Sequence, residues 1–346
     1  MAAINDHMNA IPTRFGRAAM QNIGKEIGRF AVTTMDRPWQ VTKDLIGGAP
    51  AAVYMIVSME QSYLDSLIEE LPTCDSIVGI GGGQAVDAAK YIAWQKGIRL
   101  VTIPTILSTD AFVTEAAGVR RDHRVVYIGK VRPDPLVIDY EVIRTAPTAL
   151  NIAGIGDLLS MHTACFDWEL AEKQGRSEYP FSADIVRAAC AILTKVSTTV
   201  GDIREVTDAG IRALVEGYME MNVIAHSAGH WRFEEGSEHF LFYELEERLK
   251  RPFIHGHIVG LGIYLMSRLQ ENDYQNITQM MNDVNLAYFP SGMDIPRAVL
   301  QASLKNCHQF VKQRNLWFSI LNVKEITDDW IEWATADLET KNAVFF

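Results

Sequence analysis

The apolar positions of this chain change period part-way along it. In the first 145 residues short β-branched runs alternate with helical repeats. Phe30 to Thr34, Ala52 to Val57, Ser76 to Ile80, Arg99 to Ile103 and Leu136 to Asp139 read as buried strands. Gln61 to Leu71 places Leu64, Leu67, Ile68 and Leu71 on one helical face, and Ile23 to Phe30 reads as a short helix. Val113 to Val119 and His123 to Ile128 read as a β-hairpin, with Arg120, Arg121 and Asp122 between. Beyond about Arg144 strand signals nearly vanish. Ala149 to Lys173, Ala183 to Thr199, Asp208 to Gly229, Ser237 to Arg251, His257 to Gln270 and Pro296 to Arg314 carry helical spacing, punctuated by Pro180, Gly201, Gly236, Pro252 and Pro290. The pattern predicts an α/β domain with a mostly parallel sheet over residues 1–145 and an all-helical domain over 146–346.

The most informative stretch runs from Asp75 to Lys90. A buried strand ends in Gly81, Gly82 and Gly83, and helical spacing begins at once with Ala85, Val86, Ala89, Ile92 and Ala93. Three glycines let a ligand approach the backbone closely. A helix amino terminus offers amide groups and a partial positive charge to an anion such as a phosphate. A plain tight turn is the competing reading. The spacing is not the common dinucleotide fingerprint G-x-G-x-x-G. Asp87 and Lys90, three apart on the helix, read by themselves as a surface ion pair. Asp36 follows the first long strand, where an acid can bind an adenosine ribose, although a loop aspartate is the simpler account. The hydroxylic run after Ile103 suits ribose or phosphate contacts or a capped turn.

Composition narrows the field. The chain has 346 residues, 48% hydrophobic and 22% charged, with net charge −11. That balance argues against nucleic acid or an anionic membrane as the main partner. No apolar run reaches the roughly 18 residues that cross a bilayer. Met1 to Asn9 lacks a signal-peptide layout, so a cytoplasmic protein is expected. Cys74, Cys165, Cys190 and Cys307 are scattered with no C-x-x-C pair and read as reduced, buried thiols.

Three segments of the helical half carry candidate metal ligands: Asp157 in Ala153-Gly154-Ile155-Gly156-Asp157, His239 in Gly236-Ser237-Glu238-His239, and His255 with His257 in Ile254-His255-Gly256-His257. One carboxylate and two imidazoles would leave coordination positions open for a substrate at zinc or iron(II). Taken singly, a histidine near a helix start is more often structural.

Together these motifs resemble the superfamily of iron-containing alcohol dehydrogenases, glycerol dehydrogenases and dehydroquinate synthases. Gly81-Gly82-Gly83 with Asp87 and Lys90 is similar to its diphosphate loop. Asn151 to Ala171 and the Gly-Ser-Glu-His segment look like the glycerol-1-phosphate dehydrogenase branch. Ile103 to Ala111 is close to the glycerol dehydrogenase segment, and Ile254-His255-Gly256 to the family's His-Gly segment. The likeness covers roughly residues 25 to 270. It implies a Rossmann-like dinucleotide-binding domain followed by a helical metal-binding domain, the dehydroquinate synthase-like fold. It implies one divalent metal (zinc, iron or nickel) on Asp157, His239 and His255. It implies NAD contacts from Asp36, Gly82, Gly83, Gln84, Ala85, Val86, Thr105, Ile106, Leu107, Ser108 and Thr114, with Asp110 touching substrate near the nicotinamide.

Two departures bear on chemistry. The family usually follows His-Gly with Glu, where this chain has His257. Tyr243 stands where glycerol-1-phosphate dehydrogenases carry a substrate histidine. His257, His162 and Tyr243 are the candidates for handling the proton. Arg120, Arg121, Lys130, Arg132 and Arg232 are the cations available to a phosphate. The expected activity is NAD-linked, metal-dependent interconversion of a secondary alcohol and ketone in a small polyol or polyol phosphate, by a homo-oligomer. The alternatives are a sugar-phosphate cyclase that uses NAD and metal without net redox, a glycerol dehydrogenase acting on an uncharged polyol, and a cofactor-binding scaffold without activity.

Overall fold

The computed structural model describes residues 11–122 and 124–345. Met1 to Asn9, and His123 where the second arm of the expected hairpin begins, lie outside the described residues. The chain forms two compact units. The first runs to Asn151 and includes Val206–Asn222; the second comprises Ile152–Glu205 and the chain from Val223 onward.

The first unit is built on a six-stranded parallel sheet of β1 (Thr13–Gly16), β2 (Phe30–Thr34), β3 (Ala52–Met55), β4 (Ser76–Gly81), β5 (Arg99–Pro104) and β8 (Leu136–Asp139), in the order β1-β8-β5-β4-β2-β3. A separate antiparallel hairpin joins β6 (Ala117–Arg121) to β7 (Arg124–Ile128). Both sheet faces are covered, which is why its strands read as continuous apolar runs rather than alternating ones. Phe30, Val32, Val78, Ile80, Val101 and Ile103 face one core. Ala31, Ile77 and Leu100 face the other, beneath α3 (Gly83–Lys96) with its Ala89, Ile92 and Ala93. Gly79 lies beneath α3 as well. A Cβ there would stand 2.9 Å from the Ala89 Cβ and 3.0 Å from the Val86 Cα, so glycine lets helix and strand approach this closely.

Strand order fixes where a ligand can bind. The chain runs from β2 outward to β3, then returns across β2 to β4 and continues through β5 to β8. The direction of winding reverses between β2 and β4. In open α/β sheets the crevice beyond the carboxyl ends of two such strands is the ligand site.

The helices of this unit are α1 (Asp36–Thr42), α2 (Gln61–Glu69), α3, α4 (Tyr140–Arg144) and the start of α5 (Thr148–Ala153). The second unit contains α6 (Ile155–Lys173), α7 (Ala183–Ser197), α8 (Val200–Arg204), α10 (Ser237–Leu249), α11 (His255–Gln270), α12 (Tyr274–Asp283), α13 (Arg297–Gln313) and α14 (Asp328–Phe345), with no strand among the described residues. The unit boundary falls within α9 (Asp208–Ala228). No helix among the described residues is long and apolar enough to cross a membrane.

Several expectations shift. The helix foreseen over Ile23 to Phe30 is one 3-10 turn, Ile23–Lys25. It cannot continue because Gly28 takes a left-handed φ of 73° and the Asp75 carboxylate accepts the Arg29 amide at 2.8 Å. The hairpin turn is displaced: Arg120 and Arg121 belong to β6, and Asp122 turns the chain with φ 51°. The single helix foreseen over Ala149 to Lys173 is two, α5 and α6, with Gly154 between them. Cys165 and Cys307 are buried, but Cys190 is exposed. Strand β1 and helices α1, α4, α8, α12 and α14 have no counterpart in the sequence reading.

Lys90 is the largest correction. It is fully buried, not part of a surface pair. Its ammonium lies 2.7 Å from the Asp87 carboxylate and donates to Thr114 Oγ1 at 3.0 Å and to the Ala116 carbonyl at 2.7 Å. It ties α3 to the chain leading into the hairpin. Lys90→Met should therefore cost about 3 kcal/mol or more, because it leaves a largely desolvated carboxylate without its counter-charge. Denaturant unfolding followed by circular dichroism checks this; an unchanged midpoint would contradict it.

Candidate active site

The first unit places the glycine turn, the candidate phosphate site, at the winding reversal. Gly81 ends β4 with φ 150°, and Gly82 caps α3. The first bond of the helix runs from the Val86 amide to the Gly82 carbonyl at 3.2 Å, so the amides of Gly82, Gly83, Gln84 and Ala85 precede the helical ladder. A Cβ at Gly82 would meet Ile106 Cδ1 at 2.7 Å, and one at Gly83 would meet Thr109 Cγ2 at 3.0 Å. The turn after β5 thus packs directly against the glycine turn. A cavity of about 160 Å³ lies beside it, lined in part by Gly83, Gln84, Asp87, Thr109, Ala111 and Gly118.

Asp36 is exposed in the first turn of α1, two residues beyond β2, on the strand next to β4. Thr105 and Leu107 are buried and their amides are engaged internally, with the Gly81 carbonyl at 3.0 Å and with Asn151 Oδ1 at 3.2 Å. Ile106 and Ser108 are half-buried. Val86 is buried, and its amide closes the first helical turn, so it contributes packing rather than a donor. The Thr114 hydroxyl accepts from Lys90 and donates to the Ala111 carbonyl at 3.3 Å. Asp110 is half-buried, with Thr109 Oγ1 at 3.5 Å from its Oδ1.

In the second unit, glycines set the distances between helices. A Cβ on Gly156 would sit 2.3 Å from the Gly256 carbonyl oxygen, and one on Gly256 would sit 1.6 Å from the Ala153 oxygen. The amino-terminal ends of α6 and α11 therefore touch backbone to backbone. The next residue along α6 is Asp157, and the preceding one on α11 is His255. His255 Nε2 lies 3.2 Å from Asp157 Oδ1. A Cβ on Gly262 would sit 2.4 Å from the Glu238 oxygen, which brings the start of α10 against α11. Asp167 holds that start from the other side, its Oδ2 accepting the Ser237 amide at 2.8 Å. The His239 ring stands 5.3 Å from the His255 ring. One ligand atom from each of Asp157, His239 and His255 lies within 4.8 Å of the others. A carboxylate and two imidazoles converging in this way fit a divalent cation with positions left open.

Comparison with known proteins places the chain in a family. Residues 49–147 match the family model of iron-containing alcohol dehydrogenases. The glycerol-1-phosphate dehydrogenase [NAD(P)+] of Sulfurisphaera tokodaii is 30% identical over 256 residues, 73% of this chain and 71% of that one. The chain belongs to the glycerol-1-phosphate dehydrogenase family. The enzyme of that name from Hyperthermus butylicus is 29% identical over 271 residues, 77% of this chain and 75% of its own. The glycerol dehydrogenase of Schizosaccharomyces pombe superposes with a TM-score of 0.70 at 19% identity, covering 97% and 92% of the two chains. An iron-containing alcohol dehydrogenase from Corynebacterium glutamicum gives 0.68 at 13%, covering 95% and 94%. At such identities the two structures establish the fold alone.

Within this family member, the surroundings of the three residues are acidic. Glu234 Oε1 lies 3.5 Å from His239 Nε2, and Glu238 Oε1 lies 2.9 Å from His239 Nδ1. Burial alone would lower His239, but Glu234, then Glu238 and Glu235, carry it up to about 10. Burial, with His239 alongside, pushes His255 down to about 3. A pocket that draws in positive charge this strongly suits a divalent ion. Ser160 fastens Glu234 in place, its hydroxyl 2.8 Å from the Glu234 carbonyl and 3.2 Å from Glu234 Oε1. Neither acid was singled out from sequence, although Glu238 is adjacent to His239.

The other candidates divide. Tyr243 is near the cluster, its ring 6.4 Å from that of His239, and its hydroxyl donates to Glu235. His257 is buried but lies two residues from His255, and residues two apart on a helix face different ways. His162 Nε2 is bound to the Asn272 carbonyl at 2.6 Å. Arg232, a candidate phosphate ligand, is fully buried, and its guanidinium donates to the Glu235 and Phe318 carbonyls. Arg132 and Lys130 pair with Glu115, and Arg121 donates to Gln61.

Purified protein is expected to retain about one divalent ion per chain, and Asp157→Ala, His239→Ala and His255→Ala to retain none, since each removes one of three ligands. Gly256→Ala should also lose the ion, though it changes no ligand, because its Cβ forces α6 and α11 apart. Elemental analysis after dialysis reads all four. Normal metal content in the ligand variants would refute the site.

Proposed function

We propose that this chain catalyses the reversible, NAD-linked oxidation of the secondary alcohol of a three-carbon polyol phosphate, of the glycerol 1-phosphate and dihydroxyacetone phosphate type. The observation that carries the reading is the convergence of Asp157, His239 and His255 in a member of the glycerol-1-phosphate dehydrogenase family. These three side chains would hold zinc, iron or nickel. A bound metal would supply Lewis acidity toward the reacting oxygen, and a bound nicotinamide would supply the hydride acceptor or donor. The amides of Gly82 to Ala85 would receive the cofactor diphosphate, and the hydroxylic turn from Thr105 to Ser108 would flank it. Tyr243 is the hydroxyl placed beside the metal ligands, and its bond to Glu235 gives the proton a carboxylate to move toward. Asp110 would approach the substrate from the nicotinamide side.

Asp36 bears on cofactor choice. Its carboxylate is exposed beyond β2, where a ribose hydroxyl would be accepted and the 2′-phosphate of NADP repelled. The relatives carry both cofactors in the name NAD(P)+. NAD is expected to be preferred here, and Asp36→Gly to narrow that preference. Ratios of kcat/KM for the two cofactors decide it; a wild-type preference for NADP would remove Asp36 from the site.

A second reading, an uncharged polyol substrate, is favoured by one observation. The groups of the second unit around the metal ligands are Glu234, Glu235, Glu238 and a phenol, and the Arg232 guanidinium is turned to backbone carbonyls. A phosphate must then be held away from these acids. Comparing kcat/KM for glycerol 1-phosphate and for glycerol under one set of conditions separates the readings. A ratio above one is expected; a ratio below one would assign the enzyme to free polyols. Stoichiometric NADH formation excludes a redox-neutral cyclase.

A further inference from the structure

His239 sits between two carboxylates, one at each ring nitrogen, and they are not equivalent. Glu238 is fully buried. Its Oε1 lies 2.9 Å from His239 Nδ1 and accepts the Gly236 amide at 2.6 Å. Its backbone is fixed as well, because Gly262 of α11 packs onto it with no room for a Cβ. Its second oxygen, Oε2, is buried with no hydrogen-bond partner among the described residues. Glu238 therefore has one strong, localised contact to make with a side chain, and that contact is to His239. Glu234 is farther away, 3.5 Å from Nε2, and its Oε1 lies 3.2 Å from the Ser160 hydroxyl.

We infer that Glu238 is the positioning residue of the metal centre: it holds the proton on His239 Nδ1, fixes the plane of the ring, and so presents the Nε2 lone pair to the cation. The inference rests on the metal reading of Asp157, His239 and His255. A carboxylate on the distal nitrogen of a metal-bound histidine sets its tautomer and raises its basicity, and loss of such a partner typically weakens metal affinity about 10- to 100-fold. The geometry gives the partner an unusual origin. Glu238 and His239 are consecutive on the first turn of α10, so ligand and orienting group are delivered by one segment. The Gly-Ser-Glu-His motif then has a division of labour. Gly236 allows the close approach to α6, where a Cβ would meet Ala164 Cα at 2.8 Å, and gives its amide to Glu238. Ser237 gives its amide to Asp167. Glu238 orients, and His239 ligates.

The test uses the full-length protein loaded with zinc, or with cobalt(II) as a spectroscopic probe. In the wild type, long-range 1H–15N correlation of the histidine rings should show His239 protonated on Nδ1 and bound to zinc through Nε2. The reverse arrangement overturns the inference without any variant. Chelator competition should rank zinc affinity as wild type, then Glu238→Gln, then Glu238→Ala. The amide retains one acceptor for Nδ1–H, so Glu238→Gln should lose about 10-fold; alanine retains none, and Glu238→Ala should lose about 100-fold. The cobalt(II) absorption bands should shift in both variants, while affinity for NADH stays as in the wild type. Wild-type metal affinity and unshifted bands in Glu238→Gln would also overturn the inference. His239→Ala separates the two layers. If it too binds zinc normally, the metal reading has failed; if it loses zinc while the Glu238 variants do not, only the role of Glu238 has failed.

Discussion

The cluster of Asp157, His239 and His255 depends on a contact with no side chain in it. Gly156 on α6 and Gly256 on α11 meet so closely that a single methyl on either would overlap backbone atoms of the other segment. Aspartate and histidine side chains are short. Helices ordinarily cross at about 8–10 Å, a distance set by the side chains between them. Removing the side chains at the crossing lets the helices close, and the flanking residues then face one another at 3.2 Å. Gly262 does the same for α10, and His239 joins Asp157 and His255.

That closeness has an electrostatic consequence. Asp157 and Glu238 are buried, Glu234 nearly so, and all three lie around two imidazoles. Carboxylates out of water are costly unless positive charge is near. His239 lies against these acids and is carried up to about 10 by Glu234, Glu238 and Glu235, and the buried Arg232 guanidinium also acts on Glu238 and Glu235. A divalent ion answers the same demand with more charge and with geometry the ligands already share. The glycine contacts bring these acids and the two imidazoles together, an arrangement that would suit a cation.

How much of this was legible in the sequence follows from range. The candidate phosphate site is local: strand, three glycines and helix are consecutive, so Asp75 to Lys90 could be read at once. The metal cluster is not. Asp157 and His239 are 82 residues apart in number, and nothing in periodicity brings them together; only the family resemblance did. Lys90 was misread because an ion pair at i and i+3 has the same spacing whether solvated or buried. Its burial depends on Thr114 and Ala116, contributed from beyond the next strand. Gly28 ended a helix that apolar spacing favoured, because Asp75, far along the chain, offers the Arg29 amide a better partner than another helical turn would. Helix α1 escaped notice for a different reason. Pro38 sits within its first turn, where a missing amide costs nothing, yet proline in a short polar stretch reads as loop.

The acidic surroundings also constrain how a phosphorylated substrate can be held. Around the candidate ligands the second unit presents carboxylates and a tyrosine hydroxyl, and Arg232, seven residues before His239, donates to two backbone carbonyls. A divalent ion held by these residues would offset part of this negative charge, and the phosphate of a substrate would still face Glu234, Glu235 and Glu238. In a three-carbon substrate the reacting carbon and the phosphate are separated by only one methylene. On the proposed reading the hydroxyl-bearing end would face Asp157, His239 and His255, and the phosphate would point away from this cluster. An uncharged polyol is under no such constraint and could enter either way round. Substrate charge and stereochemical strictness are therefore linked in this site, because repulsion by the same acids that call in the metal would also select the direction of approach.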